Sequence, residues 1–180
     1  METASSPTST RRSWTNRLIA AAKLDISLYE EVEADTTATM QAAGVVALSA
    51  VAHGIGSSDE GGAGIIVGLL FSLIGWVVWA AITYFVGAKV FKGTANWGEL
   101  ARTLGFAQAP GALYVLGALP ILGGLFEVII GIWILVAGVI AIRQALDITT
   151  GQAIITAVIG WCVLVIPPLI FGAAAWLAWR

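Results

Sequence analysis

The chain reads as an all-α polytopic membrane protein, with five transmembrane helices preceded by an amphipathic interfacial helix. Three observations predict this. Of the 180 residues 58% are hydrophobic and only 11% are charged, whereas a soluble domain carries about 25% charged residues; the deficit makes a bilayer the solvent for most of the chain. Apolar runs cover 39–56, 62–88, 104–119, 121–142 and 152–179. The gaps between them alternate in Lys and Arg, as short loops on opposite faces of a membrane do.

The order of elements follows from that pattern. Residues 1–12 are polar and rich in Ser and Thr, and are expected to form a disordered cytoplasmic tail. The pair Arg11-Arg12 is not a twin-arginine signal, because Lys23 and Asp25 interrupt what would be its apolar core. Over 13–36, Trp14, Leu18, Ala22, Ile26, Tyr29 and Val32 recur at helical spacing with charges between them. That pattern predicts an amphipathic helix on the cytoplasmic membrane surface, the alternative being a solvated helix packed on neighbouring loops. Residues 37–180 form the transmembrane domain.

A helix rising 1.5 Å per residue needs roughly 20 residues to cross the hydrocarbon. The run over 104–119 is short for this and contains Pro110, but charge retains it as a span. With five crossings, Arg11, Arg12, Arg17 and Lys23 share the cytoplasmic side with Lys89, Lys92, Arg102 and Arg143. The gaps around Asp59 and Glu60 and over 119–123, which lack Lys and Arg, lie outside, as does the C-terminus. Trp176 and Trp179 then fit an outer aromatic belt, and Trp14 and Trp97 the inner interface. The expected location is a bacterial cell membrane, multi-pass.

Gly124, Gly131 and Gly138 are seven residues, or two helical turns, apart, and predict a small-residue stripe for helix–helix contact within the chain or between two copies. Gly64 and Gly68 form a shorter pair of the same kind. Glu127 is the one ionisable residue well inside a run, at the edge of the glycine stripe. An intramembrane carboxyl is either a functional group or one that hydrogen-bonds a neighbouring helix. His53, at the outer end of the first run, is its natural partner, and the two are expected to approach each other. Pro110 and the pair Pro167-Pro168 bend helices, and Gln108 lies where it can satisfy carbonyls freed by such a bend.

Other classes find no support. The sequence has no HExxH, GxSxG or P-loop and no Ser/His/Asp set, so no catalytic residue is expected. One His and one Cys, Cys162, exclude a conventional zinc site and an intrachain disulfide. No cofactor is implied. No basic, aromatic-laced patch suggests nucleic acid, which leaves the lipid bilayer, another membrane protein or a second copy as partners.

The stretch FKGTANWGELARTLGFAQAP over 91–110 combines Gly93, Trp97, Gly105 and Pro110 in a loop that enters a short span. Tyr29-Glu30-Glu31-Val32, Trp133 within Gly-Ile-Trp-Ile, and Ile142-Arg143-Gln144-Ala145-Leu146 ahead of Thr149, Thr150 and Ala153 accompany it. Together they resemble the bacterial branch of the Yip1 domain family, from about Leu18 to the C-terminus. The resemblance implies five spans with a cytoplasmic N-terminus. Eukaryotic members contact Rab GTPases and shape membranes, but no recognition motif for that role matches here. Two features have local causes: Asn96 and Glu99 make a capping box for a short helix through Leu104, and Thr149 or Thr150 caps the last span. The expected function is a non-enzymatic membrane protein that scaffolds partners or organises the bilayer. The competing expectation is a small transporter or channel subunit using Glu127.

Overall fold

The structure, a computed structural model, describes residues 12–57 and 62–178, without the side chains of 63, 165 and 167–178. Among the described residues every regular element is helical. They are α1 (Trp14–Ala22), α2 (Ile26–Ala34), α3 (Thr39–Gly56), α4 (Gly62–Tyr84), α5 (Trp97–Phe106), α6 (Gly123–Leu146) and α7 (Thr150–Ala178). A 3₁₀ turn, Thr36–Ala38, leads into α3, and α4 runs on into a π-helical stretch, Phe85–Val90. Three described helices are long and apolar enough to cross a membrane: Thr36–Gly56, Gly64–Val90 and Gly123–Leu146. Residues 1–11 of the expected tail, Asp59, Glu60, Trp179 and Arg180 lie outside the described residues, as does the side chain of Trp176; Arg12, the last residue of that tail, is ordered against the hairpin by its pair with Asp25 at 3.1 Å.

The single helix expected over 13–36 is a helical hairpin. Leu24 takes a left-handed conformation at φ 61°, and Asp25 caps the next helix by accepting a bond of 3.0 Å from the Ser27 N–H. The break lets both helices fold their apolar sides onto the protein: Ala21, Leu28, Tyr29 and Val32 are fully buried. α2 rests on α5 and α6, the packed arrangement rather than a helix lying alone on lipid.

Two buried arginines fasten this hairpin. Arg17 is 1% exposed. Its Nε and Nη2 donate to Glu31 at 2.9 and 2.7 Å, Nη1 donates to Gln41 at 2.9 Å, and Nη2 pairs with Asp35 at 2.8 Å. Burial alone would depress its basicity, but the bonds from Glu31 and Asp35 outweigh it and hold the guanidinium above its ordinary value. Arg102 of α5 donates to the carbonyls of Val32, at 2.9 Å, and Glu33. A cation there satisfies orphan carbonyls at the C-terminus of α2 and complements its dipole.

The span expected over 104–119 is not an α-helix. α5 ends at Phe106, and a 3₁₀ segment, Ala109–Ala118, follows, with Pro110 in its first turn. The capping box expected for α5 is present in both directions, Glu99 N–H to Asn96 at 3.1 Å and Asn96 N–H to Glu99 at 2.8 Å. Thr149 and Gln152 cap α7 in the same reciprocal way, at 3.4 and 3.0 Å. α7 runs through Pro167 and Pro168. α6 ends with Asp147 left-handed at φ 53°, and the loop carrying Gly93 closes over that end. Thr94 N–H bonds the Leu146 carbonyl at 3.1 Å, and a Cβ on Gly93 would lie 2.8 Å from the same oxygen.

α3 against α5 and the 3₁₀ segment is the tightest packing in the bundle. Its stripe is Ala42, Ser49 and Gly56, seven apart. A Cβ on Gly105 would come 2.7 Å from the Ala42 Cβ, one on Gly111 would overlap the Ser49 hydroxyl, and one on Gly56 would overlap the Tyr114 carbonyl. Small residues on both sides bring the backbones together, the arrangement that stabilises helix pairs in lipid. Trp76 adds a cross-link from α4, donating to the Ala101 carbonyl at 2.8 Å.

Candidate functional site

The close approach of α3 and the 3₁₀ segment leaves an open-sided cavity of about 400 Å³ in the bundle, with walls from α3, α4, α6, α7 and the 3₁₀ segment. Its polar lining is Ser49 and His53 on successive turns of α3, Ser72 on α4, Gln108 at the head of the 3₁₀ segment and Tyr114 within it. Trp79 and Trp161 supply aromatic wall. The His53 and Tyr114 rings meet edge to face, centroids 5.0 Å apart at 90°.

The sequence candidates divide around this cavity. His53 and Gln108 both line it, on different elements. Glu127 does not. It sits at the foot of α6 against the end of the 3₁₀ segment, with Oε1 3.2 Å from where a Gly117 Cβ would be, and near enough to Tyr114 to act on its hydroxyl by charge. Tyr114 therefore meets the His53 ring directly and lies within electrostatic reach of Glu127. No hydrogen bond or ion pair joins His53 to Glu127 among the described residues.

The glycines of α6 face three different surroundings. Gly124 has nothing near it, Gly131 lines the cavity with the Tyr114 hydroxyl 3.7 Å from its Cβ position, and Gly138 meets the Trp79 ring at 2.8 Å. Gly68 faces open space, and Gly64 is half-buried. Of the loop residues, Gly93 docks on α6, Gly105 on α3, Pro110 is buried, and Trp97 is exposed. Cys162 is a free thiol, half-buried on α7. Among the described residues no cluster of His, Cys, Asp or Glu is disposed to hold a metal ion.

Ser49, Ser72 and Tyr114 were not singled out by sequence. A signal existed for the first: Ser49 and His53 are four apart and share a helix face. Ser72 and Tyr114 stand alone in apolar runs, and only the fold brings them to the same place.

An all-helical chain with several apolar helices and a polar cavity among them is a membrane protein. Comparison with known proteins names its family: the chain belongs to the Yip1 domain family, which matches residues 31–177. No curated protein and no solved structure matches it. The match begins within α2, so the last turn of that helix falls inside the matched region while α1 precedes it.

Proposed function

We propose that this protein is a non-enzymatic membrane scaffold whose N-terminal hairpin is a rigid platform for a partner protein. The observation that carries this reading is the buried attachment of the hairpin through Arg17 and Arg102. Arg17 ties α1 to the C-terminal turn of α2 and Arg102 ties that same turn to α5; a segment held in this way presents a fixed outer face, and preorganisation lowers the entropy lost on binding.

The same reading takes five crossings, with the N-terminus cytoplasmic and the C-terminus outside. α5 and the 3₁₀ segment make the third. The 3₁₀ rise of about 2.0 Å per residue stretches residues 104–118 to about 28 Å, close to the hydrocarbon thickness of about 30 Å. The hairpin then lies at the cytoplasmic face beside the positively charged loops.

The test is recovery of the tagged full-length protein from its native membrane in mild detergent, with mass spectrometry of what accompanies it. A stoichiometric partner lost on Arg17→Met is the expected result. Recovery of lipid alone, unchanged in that variant, would overturn the scaffold reading.

The cavity favours a second reading, a small transporter or channel subunit with Glu127 beside Tyr114 at the cavity's edge. It requires flux that Glu127→Gln abolishes while the protein stays folded, whereas a scaffold tolerates Glu127→Gln. A scaffold that self-associates through α6 would dissociate on Gly131→Leu.

A further inference from the structure

We infer that the cavity is a binding site for the uncharged, hydroxyl- or amide-bearing headgroup of a single amphiphile. This goes beyond the scaffold reading and does not depend on it.

The cavity wall carries unmet hydrogen-bonding capacity. Ser49, His53, Ser72, Gln108 and Tyr114 all face the cavity, and none of their side chains has a hydrogen-bond partner among the described residues. Ser49 is only 7% exposed, so its hydroxyl meets nothing but the cavity and the Gly111 backbone that presses on it. A buried polar group without a partner is costly in any protein. In a membrane, water is not at hand to relieve it. Ser49 is buried, Ser72, Gln108 and Tyr114 are half-buried and His53 is exposed; converging from α3, α4 and the 3₁₀ segment, they make a site that is complete only when something polar fills it.

The lining also specifies charge. No Lys, Arg, Asp or Glu borders the cavity. A phosphate or carboxylate headgroup would be buried without a counter-charge and would face Glu127 behind Tyr114. A cationic headgroup would find no carboxylate in the wall. Hydroxyls, an amide and an imidazole offer donors and acceptors in mixed order, which suits a polyol or amide headgroup.

The shape specifies the rest of the ligand. About 400 Å³ lies within the range of small-molecule sites, roughly 300–1,000 Å³. Trp161 borders the cavity and is 52% exposed, so the opening lies at the lipid-facing surface of α7. Leu135, Ile134 and Leu164 carry an apolar wall toward it. A headgroup held at Ser49 and Gln108 would leave its acyl chain passing Trp161 into the bilayer.

The experiment uses the full-length protein in phosphatidylcholine nanodiscs doped with a photoactivatable monoacylglycerol, and in parallel with a phosphatidylglycerol bearing the same photoactivatable group. The expected result is preferential labelling by the monoacylglycerol on peptides of α3, α7 or the 3₁₀ segment, competed by unlabelled monoacylglycerol but not by free glycerol. Ser49→Ala and Gln108→Met, which remove hydrogen bonds without adding bulk, should each cut labelling about five-fold, the effect of one hydrogen bond. Their thermal unfolding, followed by tryptophan fluorescence, should stay close to wild type. Equal labelling by both lipids, or labelling indifferent to both variants, would overturn the site. Competition by free glycerol at matched concentration would overturn the amphiphile assignment in favour of a soluble polyol.

Discussion

Arg17→Met is the sharpest test of how the head of this molecule is held. The substitution keeps the packed stem and removes the guanidinium. Four contacts between 2.7 and 2.9 Å, to Glu31, Asp35 and Gln41, disappear, while Arg12 stays 3.6 Å from Glu31. Removing one member of a fully buried ion pair costs about 3–5 kcal/mol. Here the arginine is buried, but the side chains of Glu31 and Asp35 are 26% and 13% exposed and can turn partly to water, which lowers the cost to about 2–3 kcal/mol. Asp35 also accepts from the Thr37 N–H, so the turn into α3 loosens with it. Opening of the hairpin should become easier by that amount, and amide exchange over α1 and α2 should accelerate about 30- to 150-fold. Exchange mass spectrometry of the full chain in nanodiscs reads this directly, with α6 as internal reference. Adding Glu31→Gln and Asp35→Asn to Arg17→Met should recover part of the protection, since the two carboxylates that lost Arg17 are then neutral. Exchange in α1 and α2 within two-fold of wild type, or an equal rise throughout α6, would refute the clamp.

The pH dependence of the same region has a definite sign. Burial, with Glu99, Asp147 and Glu30 nearby and Arg102 opposing, raises the Glu33 carboxyl from its ordinary 4.5 to about 7. A raised carboxyl is docked best when protonated, so hairpin stability is fullest below about pH 4.5 and falls as pH rises through 7. At full weight the shift is about 3 kcal/mol, and solvent screening of a partly exposed carboxyl leaves about 1 kcal/mol. Exchange over α2, corrected for intrinsic rates, should quicken between pH 5.5 and 8, and Glu33→Gln should flatten that slope. Gly111→Ala should destabilise the bundle by about 1–3 kcal/mol through overlap with Ser49. Gly68→Ala, where a methyl group meets nothing, should change the melting temperature little in the same detergent. Gly124→Ala should behave likewise in the monomer, so a loss of self-association there would place a second copy on α6.

How much of this was legible in sequence depends on how local each cause is. The ends of α3, the capping box at Asn96 and the cap at Thr149 were legible because each is written within a few residues. The break at Leu24 was not, because an apolar stripe at helical spacing looks the same whether it bends or runs straight. The stripe that packs most tightly, Ala42, Ser49 and Gly56, was hidden for a different reason. Its members are small but not all glycine, while the glycines of α6 repeat visibly and lack a common neighbour in this chain.

Charge misled in one place and informed in another. Counted along the sequence, Arg17 and Arg102 are two more positive residues that set orientation. In the fold they are buried, one neutralised by Glu31 and Asp35 and one capping α2, so neither offers its charge to anionic lipid. The surface charge of this face is correspondingly less positive than the sequence implies, with Glu30, Glu99 and Asp147 gathered near Glu33. A head of that character is poorly suited to adsorb on an anionic leaflet and better suited to a protein with a basic docking face. That is an independent reason to look for a protein partner on this side of the membrane, and for a lipid one in the cavity.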